Sequence, residues 1–372
     1  MRIIQFMETF WPLIGGREVL VEKLTQSLMS RGHELIIISG VHEPTLAEQE
    51  IHEGISIRRF PFRQALVSKD VKLIGQILQQ LAQLYREFSP EVVHLHDLGA
   101  IRFFCVRSSQ AKPSRLVVTV HGYLELEEAA DHFQVMLAKM MRSADWVTAV
   151  CESALGRLHE LVPHVRNRSS VIRNGYEPPS TEPLPLPFDP PQVLCLGRLG
   201  EEKRFDLAIS AFAELRKQFP SARLTMAGDG FLRGKLERQS EELGLGASVR
   251  FLGMVPTKSV WDLLNRATMV VLPSRTEGLP LVALEASLME RPVVASRVGG
   301  LPEAIIHRET GLLFTPQNVE SLTQAMSELL LSPEKTQAMG QAARRYVLEK
   351  FSWPRFVDQY EALYRKMIAE IN

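Results

Sequence analysis

Two patterns of apolar residues alternate along the chain. Short aliphatic and β-branched runs such as ELIIIS (34–39) are typical of buried strands. Apolar residues at steps of three and four, as in VKLIGQILQQLAQLYREF (71–88), predict helices. Gly32 follows the helical pattern of 17–31 and is predicted to end that helix as its C′ residue. Strands that alternate with helices favour parallel sheets built from right-handed βαβ units.

The second half of the chain repeats this alternation after a proline-rich interruption. The segment EPPSTEPLPLPFDPP (177–191) has seven prolines in fifteen residues, a density typical of an extended, semi-rigid linker. We therefore predict an α/β protein of two Rossmann-like domains, 1–176 and 177–353, whose doubly wound parallel sheets face each other across a cleft. Ligands in such folds bind beyond the carboxyl ends of the strands.

The end of the chain predicts one more helix, beginning at about Pro354. An apolar face is expected to bury it against one of the two domains, and the sequence does not say which. That face is formed by Trp353, Phe356, Tyr360 and Leu363.

Composition narrows the class of protein. Of 372 residues, 45% are hydrophobic and 23% charged, as in soluble globular proteins, and 43 basic residues balance 43 acidic ones. That balance gives no overall attraction to nucleic acid or to an anionic membrane. MRIIQF reads as a first strand rather than a signal peptide, and no apolar run approaches 18 residues, so no membrane span is expected. The widely spaced cysteines suggest neither disulfides nor a zinc site and fit a reducing cytosol, with Cys195 buried; they are Cys105, Cys151 and Cys195.

The stretch TEGLPLVALEA carries two carboxylates around a helix start. Pro280 suits the first helical position, and Leu281 and Val282 offer no polar side chain to cap the free N–H groups, which favours an anion site. Glu277 and Glu285 would project about 80° apart around the helix axis, so they suit different parts of one ligand. The alternative is that Glu277 only complements the helix dipole and Glu285 is a solvated residue.

Two cations follow the strand that ends at Gly197. Arg198 and Lys203 lie in the turn after this strand, at the carboxyl edge of the predicted sheet, where they would suit a diphosphate. A solvated loop is the alternative. Gly228, in GDG, is a weak motif that a tight turn also explains, and Asn174 with Gly175 marks another turn.

The first half offers fewer candidates. The pair Gly15-Gly16 would let the backbone approach a phosphate or a sugar closely, and His121 ends a predicted strand. His94 and His96 are expected on opposite sides of their strand, one of them as a structural histidine. On that reasoning no two-histidine metal site is predicted.

Taken in order, these motifs resemble one enzyme family. The chain resembles the retaining nucleotide-sugar glycosyltransferases of family four, which have the GT-B fold. The motifs that carry the resemblance are, in order, GG-x-E, VHG, the NG turn, GR-x4-K, GDG, E-x7-E, PVVAS, GGLPE and G-x-LF. The resemblance covers nearly the whole chain and is most specific from Gly197 to Phe314. One departure is Glu290-Arg291, where the family usually has a small residue and glycine; only a local change is expected there.

The resemblance implies a role for each candidate. Glu277 would lie beside the donor sugar, Glu285 would bind the ribose diol, and Arg198 with Lys203 would neutralise the diphosphate. His121 would touch the sugar near its 6-hydroxyl, and Glu18 would lie on the acceptor side. Further donor contacts are implied for Gly16 at the distal phosphate, Gly253 and Met254 at the base, and Asn174, Gly197, Gly228, Gly278, Leu279, Leu281 and Val282.

The implied activity is transfer of a hexose-type sugar to a hydroxyl acceptor with retention and without metal or other cofactor. A sugar-nucleotide epimerase and a non-catalytic nucleotide-sugar-binding protein are the alternatives on the same fold. No nucleic-acid partner is expected, and the protein is expected to be cytoplasmic. Peripheral membrane contact stays open because basic residues cluster in the first half: Arg102, Arg107, Lys112, Arg115, Lys139 and Arg142. The sequence leaves donor, acceptor and oligomeric state undetermined.

Overall fold

The computed structural model describes residues 1–13, 15–109, 112–122 and 131–370, with backbone alone at 131–136 and 257. The chain divides into two compact units. Unit 1 comprises Met1–Asn174 with Pro354–Asn372, and unit 2 comprises Gly175–Trp353. The segment 177–191, expected to link the domains, therefore lies within unit 2.

Unit 1 is built on an eight-stranded sheet in the order β3-β4-β2-β1-β5-β6-β7-β8. Every neighbouring pair is parallel except β3 with β4, a short antiparallel pair that the apolar pattern did not predict. The strands are β1 Arg2–Met7, β2 Glu34–Gly40, β3 Gln49–His52, β4 Ile55–Phe60, β5 Val92–Leu95, β6 Arg115–Val120, β7 Trp146–Ala149 and β8 Ser169–Val171. The helices are α1 Gly16–Ser30, α2 Phe62–Val67, α3 Val71–Phe88, α4 Ile101–Ser108, α5 Asp131–Ser143 and α6 Glu152–Leu161.

Unit 2 contains a six-stranded sheet, entirely parallel, in the order β11-β10-β9-β12-β13-β14. Its strands are β9 Gln192–Leu196, β10 Arg223–Ala227, β11 Val249–Gly253, β12 Met269–Leu272, β13 Val293–Ser296 and β14 Gly311–Phe314. Its helices are α7 Phe205–Gln218, α8 Arg233–Glu242, α9 Thr257–Asn265, α10 Leu281–Leu288, α11 Leu301–Ala304, α12 Val319–Leu331 and α13 Pro333–Lys350.

Strand order reverses once in each unit. Chain progression runs outward from β1 on one side and from β5 on the other in unit 1, and likewise from β9 and β12 in unit 2. In doubly wound sheets the loops at this reversal splay apart and leave a crevice for ligands. In unit 2, Arg198 and Lys203 follow β9 and Glu277 follows β12, whereas Gly228 follows β10, and His121 of unit 1 follows β6.

The last helix, α14 (Trp353–Ala369), packs on unit 1, which answers the question that the sequence left open. The Tyr364 hydroxyl lies 2.6 Å from His94 Nδ1, and the Tyr360 hydroxyl lies 3.1 Å from Thr119 Oγ1 and 3.3 Å from Thr148 Oγ1. The predicted apolar face is buried. Aromatic side chains with polar tips thus attach α14 to β5, β6 and β7.

The proline-rich segment is fastened to unit 2 by polar side chains. Asn265 accepts the Leu184 N–H at 3.0 Å and donates to the Glu182 carbonyl at 3.0 Å. The fully buried Arg291 donates to the carbonyls of Met289, Ala267 and Leu184. The expectation that Glu290-Arg291 changes only its own turn is wrong, because Arg291 reaches a segment 107 residues away in the sequence.

Other expectations from the sequence concern thiols and the membrane. All three cysteines, Cys195 among them, are buried. Within the described ranges, no helix is both long and apolar enough to cross a bilayer.

Candidate functional site

Glu277 and Lys203 meet at the strand-order reversal of unit 2. Lys203 follows β9 and Glu277 follows β12, and these strands are hydrogen-bonded neighbours. Lys203 Nζ lies 2.5 Å from Glu277 Oε1, which also accepts the Ser274 hydroxyl at 2.7 Å. The two side chains are 22% and 10% exposed, so the pair is partly shielded from water. Tertiary structure thus joins two candidates that are 74 residues apart in the sequence.

The helix after Glu277 begins with N–H groups that no side chain caps. Pro280 is the N-cap residue, with ψ 125°, rather than the first helical residue as predicted, and it makes no side-chain cap hydrogen bond. The helix starts at Leu281, and Leu281 and Val282 are both half-buried. Free N–H groups and the helix dipole at this end favour an anion.

Neighbouring backbone holds the loop before this helix. The Gly278 carbonyl accepts the Gly300 N–H at 2.9 Å, and Leu279 is buried. A Cβ on Gly299 would lie 1.9 Å from the Glu277 carbonyl oxygen, and Gly299 has φ +52°. Glycine is therefore required at 299 so that the two loops can touch.

Glu285 lies on α10 and has a partner that the sequence analysis missed. The Tyr176 hydroxyl donates to Glu285 Oε1 at 2.5 Å, and burial together with the Glu285 charge raises the Tyr176 pKa well above its ordinary value. Tyr176 is held in turn by its N–H, which donates to the Phe351 carbonyl at 2.7 Å. The solvated-residue alternative for Glu285 is wrong, because this carboxylate is half-buried and hydrogen-bonded. The tyrosine follows the NG turn directly, which was the available signal.

Arg198 pairs with a different carboxylate. Its Nη2 and Nε lie 2.7 and 3.2 Å from the same oxygen of Glu202, and the Arg198 side chain is 74% exposed. The two candidate cations of this turn are therefore each paired with a carboxylate, Arg198 with Glu202 and Lys203 with Glu277.

The remaining glycine candidates of unit 2 pack backbone against backbone. The Gly228 N–H donates to the Gly253 carbonyl at 2.8 Å, and the Gly197 N–H to the Ala227 carbonyl at 2.9 Å. A Cβ on Gly228, whose φ is +127°, would lie 1.9 Å from the Gly197 carbonyl oxygen. Packing alone thus requires glycine at 228. Met254, one residue past β11, is 71% exposed.

Charged side chains surround the strand-order reversal of unit 1. Gly16 is the first residue of α1, and the N-cap residue is Gly15, which has no side chain to cap the helix. Arg17 donates to Asp97, after β5, and lies 3.1 Å from the buried Glu18. Burial raises the pKa of Asp97 to about 6, although the Arg17 guanidinium lowers it. Asn174, which ends the first segment of unit 1, is also buried.

Three histidines form a contiguous cluster: His94 in β5, His96 just after β5 and His121 just after β6. The His94 and His96 rings lie 3.8 Å apart between centroids, and His96 Nδ1 lies 3.1 Å from His121 Nε2. The prediction that His94 and His96 face opposite sides is wrong, because residues two apart on a strand share a face. His94 is the structural histidine, bonded to Tyr364 and Thr119.

Burial decides the protonation of this cluster. It lowers the pKa of His94 and His96 well below the ordinary value and, with Arg17 nearby, lowers the pKa of His121 to about 3. All three rings are therefore neutral at neutral pH, so His121 can donate or accept a hydrogen bond but carries no charge. Within the described part of the chain, no group of three His, Cys, Asp or Glu residues is arranged to hold a metal ion.

Most basic residues that raised the question of membrane contact have partners inside unit 1. Arg115 Nη1 lies 2.9 Å from Asp145, Lys112 donates to Ser89, and Arg107 lies over the Phe103 ring. Arg102 donates to the Leu98 carbonyl. The Arg115–Asp145 ion pair compensates one positive charge, whereas a hydrogen bond to a hydroxyl or carbonyl, or a ring contact, does not neutralise a cation.

Family models match both halves of the chain. Residues 14–179 match "Glycosyltransferase Family 4", and residues 179–346 match "Glycosyl transferases group 1".

Similar proteins extend over the full length. A GDP-mannose-dependent alpha-(1-6)-phosphatidylinositol monomannoside mannosyltransferase of Mycobacterium tuberculosis is 33% identical over 95% of each chain. Among solved structures, sucrose-phosphate synthase from Thermosynechococcus elongatus matches with a TM-score of 0.87 at 22% identity, covering 99% of both chains. Anabaena HepE in complex with UDP-glucose matches with a TM-score of 0.76 at 20% identity, covering 100% of this chain and 99% of that one.

Proposed function

Because the chain belongs to glycosyltransferase family four, has the GT-B fold and is a glycosyl-transferring enzyme, we propose that its donor is a nucleoside-diphosphate sugar. The sugar is hexose-type and passes with retention to a hydroxyl acceptor, and no metal is required. HepE binds UDP-glucose and the mycobacterial relative depends on GDP-mannose, which supports this class of donor.

One observation carries the proposal. Two adjacent central strands of unit 2 lead into the proposed site. The loop after β9 carries Arg198 and Lys203, and the loop after β12 carries Glu277 and the uncapped start of α10. Two cations and a set of free N–H groups suit a diphosphate, and the adjoining Glu277 carboxylate suits a sugar hydroxyl. This assembly supports a role for Arg198 and Lys203 at the diphosphate and for Glu277 at the sugar.

The other donor contacts remain proposals that rest on the family resemblance. In unit 2, Glu285 accepts hydrogen bonds from the ribose, and the backbone at Gly253 and Met254 meets the base. The loop residues that complete this site are Gly197, Gly228, Gly278, Leu279, Leu281 and Val282. From unit 1, Gly16 serves the distal phosphate, His121 the sugar and Glu18 the acceptor side, and Asn174 is a further donor contact.

The proposed reaction forms a bond from the acceptor oxygen to the anomeric carbon while the bond to the diphosphate oxygen breaks. Both events occur on the same face of the sugar, which gives retention. The departing phosphate oxygen takes the acceptor proton, so atoms and charges balance. Electrostatic stabilisation of that leaving group by Arg198, Lys203 and the α10 N–H groups is the largest expected contribution.

A panel of nucleotide sugars tests the function. Released nucleoside diphosphate in the presence of acceptors, with a glycosylated product by mass spectrometry, is the expected result. A donor converted to another sugar nucleotide would indicate an epimerase instead, and binding without turnover would indicate a non-catalytic binding protein. NMR of the product's anomeric proton tests retention, and activity that survives EDTA tests metal independence.

Peripheral membrane contact stays a proposal, since the Arg115–Asp145 pair compensates one charge of the basic cluster and the contacts of Lys112 and Arg107 leave their charges in place. Flotation with vesicles containing anionic lipid, compared with neutral vesicles, decides whether any such contact exists.

A further inference from the structure

Glu202 stands between the two cations of the proposed diphosphate site and has no role assigned so far. It lies in the turn Glu201–Lys203, directly before Lys203 and four residues after Arg198. Its Oε1 accepts both Nη2 and Nε of Arg198, at 2.7 and 3.2 Å. The Nε–Nη2 edge of the guanidinium therefore binds a carboxylate of the same loop.

Gly200 lies directly beside this carboxylate. A Cβ on Gly200 would lie 2.4 Å from Glu202 Oε2 and 2.9 Å from Oε1, so a larger residue there would displace the Glu202 side chain from its present position. Partial burial raises the pKa of the Glu202 carboxyl, but bonds from Arg198 and from the Glu202 N–H outweigh this effect and leave the pKa below its ordinary value. Glu202 is thus an ionised anion held by a guanidinium and a backbone N–H, as a phosphate oxygen would be.

The turn also connects the two halves of the proposed site. The Glu202 carbonyl accepts the Arg275 N–H at 2.8 Å, which fixes the turn against the loop that carries Glu277. The backbone of the turn that carries Glu202 is therefore tied to the loop that carries Glu277.

We propose that Glu202 is an internal counter-ion that competes with the donor's diphosphate for Arg198 and so tunes how tightly the enzyme holds its donor and its nucleotide product. This inference rests on the proposed function. Ligand binding exchanges the Glu202 carboxylate on the Nε–Nη2 edge for phosphate oxygens, and product release restores the original pair.

The size of the effect follows from exposure. The Arg198 side chain is 74% exposed, and ion pairs of such exposed groups form with equilibrium constants of about 1.5 to 5. An apparent dissociation constant rises by the inverse of the fraction that is competent to bind. Loss of Glu202 should therefore tighten diphosphate binding about two- to sixfold.

Calorimetric titration with UDP, GDP and inorganic pyrophosphate tests this competition in Glu202→Gln and Glu202→Ala. Both variants should bind at least one of these probes about two- to sixfold more tightly than the wild type. Glu201→Gln is the matched control. It makes the same change in charge one residue away, and Glu201 is exposed and has no ion pair among the described residues. Its affinity should stay close to that of the wild type.

A double-mutant cycle shows whether the effect passes through Arg198. In an Arg198→Ala background, Glu202→Gln should change the affinity hardly at all. Three results would each overturn the proposed competition. The first is that Glu202→Gln raises the affinity just as much in the Arg198→Ala background. The others are an equal rise in affinity in Glu201→Gln, and unchanged or weaker binding in Glu202→Gln. Absence of binding of all three probes to the wild type would instead overturn the proposed diphosphate site itself, and this inference with it.

Discussion

At the scale of single residues, the candidate site depends on how each charge is compensated. Lys203 and Glu277 are only 22% and 10% exposed, and they compensate each other. An unpaired charge at such a position would be costly, which explains why the two groups pair. In the proposed reaction, Lys203 acts on the negative charge that develops on the leaving diphosphate, and Glu277 acts on the sugar.

Replacement of Lys203 by alanine should therefore impair catalysis. We expect kcat/KM to fall because the activation barrier rises by about 2–4 kcal/mol, as for loss of one donor to a developing anion. Lys217→Ala is the control, since Lys217 is 72% exposed and pairs only with Glu214 in the described structure. Near-equal kinetics of the two variants, measured with the donor found by the panel, would contradict the assignment.

Glu285 offers a second test at this scale. Its loss in Glu285→Ala should weaken nucleoside-diphosphate binding by about 1.5–3 kcal/mol, the range for hydrogen bonds to a charged group. Tyr176→Phe is the companion variant, because it removes the hydroxyl that donates to Glu285 but keeps the carboxylate. We expect it to have the smaller effect by calorimetry; the reverse order would show that Glu285 acts through Tyr176 alone.

At the scale of elements, strand β5 and helix α14 are joined through a buried neutral histidine. His94 contacts Tyr364 and Thr119, and burial lowers its pKa well below the ordinary value. The unfolded chain therefore binds more protons than the folded one once the pH falls below about 6.5. Stability contributed by neutral His94 is present above that pH and is lost on acidification.

The expected slope is about 1.4 kcal/mol per pH unit below pH 6.5 from His94 alone. Urea unfolding followed between pH 7.5 and 5 measures it, with His94→Gln as the comparison. The variant should be less stable at pH 7.5 and should show a shallower loss of stability. Identical slopes in wild type and variant would rule out His94 as a source of the pH dependence.

The proline-rich segment gives a second prediction for an element. Arg291 is fully buried and serves carbonyls of three residues as well as Asn265. Arg291→Met would remove this donor from the three buried carbonyls, while Asn265 Oδ1 would keep the Leu184 N–H, and should destabilise unit 2 by about 2–4 kcal/mol. Arg345→Met, at an exposed position of α13, is the control and should change stability little. Thermal unfolding of both variants provides the measurement.

At the scale of the whole molecule, the chain returns to its first unit after completing its second. Unit 1 includes Pro354–Asn372, so its sheet is not fully covered until this segment is made. A truncated chain that ends at Trp353 should lose the thermal transition of unit 1 or shift it strongly downward, while that of unit 2 persists. Arg365→Ala, which alters an exposed position of α14, should leave both transitions in place. Scanning calorimetry separates the two outcomes.

Prediction from sequence succeeded where the signal was local. Helix 71–88 and the C′ position of Gly32, with φ +83°, agree with the structure because apolar spacing and backbone sterics act between near neighbours. The strand pair β3–β4 was missed although Ile55 and Ile57 of β4 alternate with Ser56 and Arg58 and its burial pattern alternates strictly. The error at His94 and His96 came from misapplied strand periodicity rather than from any missing signal.

The amino-acid sequence by itself determined the alternation of strands and helices, the order of the family motifs and the uncapped start of α10. Each of these depends on residues close together in the chain. Only the tertiary structure decided that Lys203 pairs with Glu277, 74 residues away, that Tyr176 serves Glu285, 109 residues away, and that α14 covers unit 1. Such partners depend on which strands become neighbours in a sheet, and strand order is a property of the packed core rather than of any local stretch of sequence.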